Sequence, residues 1–187
     1  MRAVVIQGSP HRDGPTAQLA AAFLQALRPD RVDTWRAFDR PVRPCDDCRA
    51  CRTRPGCRHD DLDELATWLR PADLVVVATP VYNLSFPAPL KAVLDRSQAL
   101  WSARFVRGVP APLMKPKRAV LLTTAGASGQ EAGPLLERQL RPVLTLLPAT
   151  LAGSVHAEGL DGGRALLPWL TRAAALGRAL AHGEAKA

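Results

Sequence analysis

The chain has 187 residues, enough for one domain with a full core, and 47% of them are hydrophobic, which excludes disorder of the whole chain. No uninterrupted apolar stretch reaches the ~18 residues that a membrane-spanning helix needs, and the N-terminus enters a strand at once, so neither a membrane anchor nor a signal peptide is expected. The formal net charge of +8 raises the question of nucleic acid, but the 25 Lys and Arg are spread along the chain and no helix interleaves a dense basic face with aromatics. The charge is read as suited to anionic substrates, with no nucleic acid and no membrane as partners.

Residues 2–8 read as a buried strand, and Thr16 to Leu27 as a helix with Leu19, Ala20, Phe23 and Leu27 on one face. Between them runs Gly8-Ser9-Pro10-His11-Arg12-Asp13-Gly14-Pro15. A strand, a glycine loop and a helix N-terminus together make an anion site, because first-turn N–H groups lack intrahelical acceptors and the helix dipole is positive there. Ser9 and Thr16 add hydroxyls, Arg12 adds charge, and His11 and Gly14 belong to the same loop. The pattern is neither G-x-x-x-x-G-K-[ST] nor G-x-G-x-x-G, so a P-loop triphosphatase and a dedicated Rossmann dinucleotide site are both disfavoured.

Arg31 to Phe38 suits a second strand, and Asp60-Asp61 opens a helix through Leu69, two acids favouring its N-terminus. Residues 73–79 hold a continuous apolar run, as in a strand covered on both faces, and Pro80-Val81-Tyr82-Asn83 follows at its C-terminal end. Pro89 to Trp101 reads as a helix, and Ser102 to Lys117 as an excursion loop. Arg118 to Thr124 reads as a strand leading to Ala125, Gly126 and Ser128. A helix follows from about Gln130 to Leu147, kinked or split at Pro142. Thr150 to His156 is the last strand and residues 162–183 the last helix, with Gly183 to Ala187 fraying. This alternation predicts a single α/β domain over residues 1–187: a three-layer sandwich, with a five-stranded parallel sheet of order 2-1-3-4-5 and helices on both faces. The loops after strands 1, 3 and 4 then converge at one sheet edge.

Residues 40–59 form a loop rich in Pro, Arg and Cys. Cys45, Cys48, Cys51 and Cys57 read C-x2-C-x2-C-x5-C. Tight spacing lets thiolates converge on one face of a cubane, and a later cysteine closes the fourth corner. Three readings stay open: a [4Fe–4S] cluster, zinc, or thiols with nothing bound. The cluster of cysteines in a chain without a signal peptide points to a reducing, cytoplasmic setting. Lys91 and Asp95 read as an exposed ion pair. Trp101, Phe105 and Val106 read as a lid, a subunit contact or a core satellite.

Gly8-Ser9-Pro10 with Thr16, then Pro80-Val81-Tyr82 followed by Pro87-Ala88, Leu90-Lys91 and Asp95-Arg96, resembles the NADPH-dependent FMN reductase family, which is flavodoxin-like. The cysteine spacing resembles that family's iron–sulfur flavoprotein branch. The resemblance implies FMN, with its phosphate at Ser9, His11, Arg12, Gly14 and Thr16 and its ring along Pro80, Val81, Tyr82, Asn83, Thr124, Ala125 and Gly126. It implies NAD(P)H as donor; a quinone, flavin, aromatic compound or iron–sulfur cluster as acceptor; no catalytic side chain; and a homodimer or homotetramer. Relatives often carry Arg where His11 stands and Asn where Pro15 stands, so the loop offers one donor fewer. A flavodoxin-type electron carrier and a zinc-loop interaction module are the alternatives, and the +8 charge argues against the carrier.

Overall fold

The computed structural model describes residues 1–110, 115–129 and 131–183. Five parallel strands form one sheet: β1 (Arg2–Gln7), β2 (Arg31–Arg36), β3 (Leu74–Pro80), β4 (Lys117–Thr124) and β5 (Ala149–Ala157). Their order is β2-β1-β3-β4-β5, as expected from the alternation of strands and helices. The helices are α1 (Pro15–Leu27), α2 (Asp63–Leu69), α3 (Ala88–Asp95), α4 (Gln98–Trp101), α5 (Ala132–Leu146) and α6 (Leu167–Ala181).

The period-2 geometry of the strands divides the core into two layers. Val4, Ile6, Val75, Val77 and Leu121 face α2, α3 and α5, where Leu65, Leu90, Leu136 and Leu140 cover them. Ala3, Val5, Val76, Val120 and Leu122 face α1 and α6, under Leu19, Phe23, Ala173 and Leu180. Both faces of β1, β3 and β4 are therefore buried, which explains their unbroken apolar runs. The N-terminal ends of β1, β3 and β4 are also bonded together: Asp73 N–H donates to Arg2 O at 2.9 Å, and Arg118 N–H to Asp73 O at 2.9 Å.

Several boundaries differ from expectation. α2 begins at Asp63, three residues late, because Asp61 is drawn away to other partners, and Asp63 and Glu64 supply the acids of the first turn. The segment after α3 is two pieces, and Ser102–Val106 is a π-helical turn continuing α4 where a loop was expected. Residues 111–114 of that excursion, Gln130 and residues 184–187 lie outside the described residues. α5 is one continuous helix from Ala132, with Pro142 on its exposed side, where the freed carbonyl faces solvent. The last helix starts only at Leu167, after glycine turns in which Gly159 and Gly163 have φ of 74° and 78°.

α1 and α6 pack closely because position 177 carries no side chain. A Cβ there would stand 2.4 Å from Phe23 O, a backbone atom that cannot swing aside. Gly177→Val is expected to destabilise the fold by about 1–3 kcal/mol through overpacking, read as a lower urea midpoint. An unchanged midpoint would show that the two helices are not closely seated.

Candidate functional site

The loops after β1, β3 and β4 meet at Thr124. Its hydroxyl pairs with that of Thr16 at 2.6 Å, in a buried contact that ties the last residue of β4 to the first turn of α1. Its carbonyl accepts the N–H of Val81 at 2.8 Å. One residue thus holds together all three segments singled out in the sequence.

The first loop is drawn in by Gly8, whose N–H donates to Ala78 O at 2.8 Å. A Cβ at Gly8 would stand 2.6 Å from Leu90 Cδ2 and 2.8 Å from Thr79 Oγ1, so the backbone lies directly against β3 and α3. Ser9 is buried, and its hydroxyl accepts the His11 N–H at 3.2 Å, closing a tight turn. α1 then starts with Pro15 in its first turn, with no side-chain cap and no acid in that turn. The N–H groups of Thr16 and Ala17 have no intrahelical acceptor there, and the dipole is not neutralised. Arg12 is exposed and salt-bridged to Asp39 at 2.7 Å, so part of its charge is already paired. His11 lies exposed at the mouth.

The second loop is a strained turn. Tyr82 and Ser85 exchange backbone hydrogen bonds at 3.0 and 2.9 Å, while Asn83 and Leu84 have φ of 50° and 57°. The left-handed region costs a residue with a side chain roughly 1–2 kcal/mol. Gln139 of α5 holds the turn from outside, accepting from Ser85 Oγ at 3.1 Å and donating to Leu84 O at 3.2 Å. Tyr82 and Leu84 are about half exposed.

In the third loop the Ala125 N–H is taken by Ala157 O at 2.7 Å. Leu160 and Asp161 donate back to Ala125 O and Gly126 O, so the turn after β5 braces it. Ala125 therefore offers a ligand no N–H, and Val81 and Tyr82 likewise have theirs engaged. Beneath this loop lies a polar network that no motif or spacing announces. His156 on β5 meets Thr123 Oγ1 at 2.8 Å and Glu137 at 3.0 Å, and Ser154 also reaches Glu137. Burial pushes the Glu137 carboxyl up, but its hydrogen bonds to Ser154 and His156 outweigh that and hold it below the usual range. The network locks β4, β5 and α5 together next to Thr124.

The cysteine loop is closed by a clasp. Arg96, after α3, is 5% exposed and donates at 2.8 Å to the carbonyls of both Arg43 and His59, the two ends of the loop. Asp61 pairs with Arg96 at 2.8 Å and accepts the Arg43 N–H at 2.8 Å. Arg107 donates to Cys51 O at 3.1 Å, and Cys51 Sγ reaches Ser102 Oγ at 3.2 Å. All four cysteines are free thiols and line one cavity of about 250 Å³ together with Arg96 and Ser102. Among the described residues no three of His, Cys, Asp and Glu are placed to bind a single ion. His59 borders the same cavity, and Lys91 forms the expected exposed pair with Asp95.

Desolvation pushes the Asp61 carboxyl up, but the Arg43 N–H and the Arg96 guanidinium prevail and hold it below its ordinary value. A depressed carboxyl adds stability above its unfolded pKa and loses it as pH falls through the folded one. Asp61→Asn is therefore expected to speed amide hydrogen exchange across residues 43–59 at neutral pH. Wild type is expected to approach the variant as pH drops below the usual carboxylate range. Equal exchange in both proteins at neutral pH would remove Asp61 from the clasp.

A profile of the NADPH-dependent FMN reductase family matches residues 1–159. An iron–sulfur flavoprotein from Methanosarcina thermophila is 34% identical over 136 residues, covering 70% of this chain and 68% of its own. Other iron–sulfur flavoproteins align over about half of their length, 53% in two cases. An FMN-dependent NADH:quinone oxidoreductase from Azotobacter vinelandii is 32% identical over 180 residues, covering 87% of this chain and 89% of its own. Among solved structures, an azoreductase from Bacillus anthracis superposes with a TM-score of 0.71 at 18% identity, covering 95% of this chain and 99% of its own. The matched span carries β1 to β5 and all three loops joined at Thr124, and on these grounds the chain belongs to the NADPH-dependent FMN reductase family.

Proposed function

We propose that this chain is an FMN-dependent oxidoreductase that takes electrons from NAD(P)H and passes them to a quinone-type acceptor. The observation that carries the reading is the uncapped, acid-free N-terminus of α1, bound through Thr16 to the loop that ends β4. A dianionic phosphate fits there, at the N–H groups of Thr16 and Ala17, with Ser9, His11, Arg12 and Gly14 around it. The ring would lie along Pro80–Asn83 and Thr124–Gly126, against the exposed apolar surface of Tyr82. FMN supplies the redox chemistry, accepting hydride from a nicotinamide and releasing electrons to the acceptor. The protein's part is to orient the ring: the Gln139-held turn fixes one edge, and the Thr123–His156–Glu137 network fixes β4 behind it. No side chain needs to move a proton for hydride transfer, in keeping with the absence of a catalytic residue from the expected set.

The four cysteines support a second cofactor in the same reading. Their C-x2-C-x2-C-x5-C spacing and shared cavity support a [4Fe–4S] cage held by Cys45, Cys48, Cys51 and Cys57. The exposed Tyr82, Leu84, Trp101, Phe105 and Val106 support a homodimer or homotetramer that covers this side. Four free thiols support a reducing, cytoplasmic setting. Among the described residues no helix is long and apolar enough to cross a membrane.

Ser9→Ala with Thr16→Val removes two hydroxyls from the phosphate loop, and each hydrogen bond to a charged group contributes about 1.5–3 kcal/mol. FMN affinity is expected to fall at least about tenfold, by fluorescence titration, while the far-ultraviolet circular dichroism stays native. Unchanged affinity in the folded variant would sink the phosphate assignment. Anaerobic reconstitution with iron and sulfide is expected to load about four irons per chain, and Cys48→Ala to lose them. A protein that takes up no iron while keeping NAD(P)H oxidation would be a flavin-only reductase.

A further inference from the structure

Ser102 and Arg107 both reach Cys51, and the π-helical turn after α4 brings them there. Ser102 Oγ lies 3.2 Å from Cys51 Sγ, and Arg107 Nε donates to Cys51 O at 3.1 Å. The two residues are five apart, and the Arg107 N–H donates to Ser102 O at 2.9 Å. That i to i+5 bond is the mark of a π turn, here Ser102–Val106. In an α-helix, with 3.6 residues per turn, positions five apart point about 140° away from each other. The wider turn sets them on one side, so a single residue of the cysteine loop is held at its carbonyl and at its sulfur. Turns of this kind concentrate at functional sites.

Ser102 is 3% exposed, and among the described residues no other polar group bonds to its hydroxyl. In the free thiol, Cys51 S–H donates and Ser102 Oγ accepts. The hydroxyl's own proton is then left without an acceptor, which a buried O–H ordinarily has. A sulfur that ligates metal has given up its proton and can only accept. The same contact then runs the other way, from Ser102 O–H to Cys51 Sγ, and the buried proton is satisfied. Cys45 and Cys48 are exposed, whereas Cys51 is partly buried. Among the described residues, the Cys51 sulfur alone of the four is bonded to a hydroxyl.

We propose that Ser102 is a positioning residue for the iron–sulfur cluster, acting through Cys51: its hydroxyl donates to the ligating sulfur and raises the reduction potential. The inference rests on the [4Fe–4S] reading of the four cysteines. Reduction adds one electron and no proton, so the added negative charge spreads onto the sulfurs. A donor aimed at one of them stabilises the reduced form more than the oxidised one. The effect is strongest at a sulfur withdrawn from water, where screening is least.

The full-length chain, reconstituted anaerobically with iron and sulfide, is titrated with dithionite and the reduced cluster followed by electron paramagnetic resonance, with iron measured on every sample. Ser102→Ala is expected to load iron as wild type does and to shift the reduction equilibrium about tenfold toward the oxidised form, which is about 59 mV for a one-electron couple. Ser102→Thr and Ser102→Val form a second pair of nearly equal shape, of which only threonine keeps a hydroxyl. Threonine is expected to hold the wild-type potential and valine to shift with alanine. This pair separates the hydroxyl from packing and covers the case in which the alanine variant does not fold. Iron-loaded variants without the hydroxyl that keep the wild-type potential would overturn the role of Ser102 and leave the cluster standing. Equal shifts in the threonine and valine variants would overturn it as well. A wild-type chain that takes up no iron would overturn the cluster reading and this inference with it.

Discussion

The hydroxyl contact between Thr16 and Thr124 joins residues 108 positions apart, and the site hangs on it. A parallel sheet brings the C-terminal ends of β1, β3 and β4 to one edge, but the edge alone does not fix how the loops lean. The buried Thr pair sets the first turn of α1 against the end of β4, and the Thr124 carbonyl adds the loop after β3 through Val81. Because each hydroxyl has one proton and two lone pairs, the member of the pair that accepts keeps its own O–H for another acceptor. The pair is at once a structural tie and the holder of one O–H that the tie itself does not use.

Rigidity around this point comes from elements that never touch a ligand. Gln139 reaches from α5 to hold a turn in which Leu84 sits at an unfavourable φ. Strain of this kind persists only where neighbours over-determine it, and it keeps one edge of the site from collapsing into the core. The His156–Glu137 network works from the opposite side, through a histidine so close to α5 that only glycine fits at position 133, where a Cβ would stand 2.4 Å from the ring. A flavin-dependent oxidoreductase leaves the bond-making to its cofactor, so the protein's contribution is this fixed frame.

The architecture was legible because hydrophobic periodicity is a local signal. The apolar runs of β1, β3 and β4 and the alternation of strands with helices were enough for the sheet order. Gly8 and the Ser9–Thr16 loop were legible as a strand–loop–helix turn, and the structure has that turn with an uncapped, acid-free start to α1. Boundaries failed where a distant partner decided them. Asp61 leaves the start of α2 for Arg96 and Arg43, and the sequence around Asp60-Asp61 holds no trace of that. The polar network of Thr123, His156 and Glu137 was equally silent, since its members come from three elements with no shared spacing. The loop's own arginines gave no sign that its backbone is held by Arg96 and Arg107, supplied by later segments.

The clasp on the cysteine loop has a bearing on how the protein matures. Many small cysteine-ligated segments are shapeless until a metal gathers them, so their folding waits on metal supply. Here Arg96 grips the carbonyls of residues 43 and 59 and closes the ring of chain between them by protein contacts alone. The entropy of loop closure is met by contacts of the folded domain. The path of the chain around the four thiols is thus set by contacts that other elements of the domain supply, whatever the thiols themselves hold.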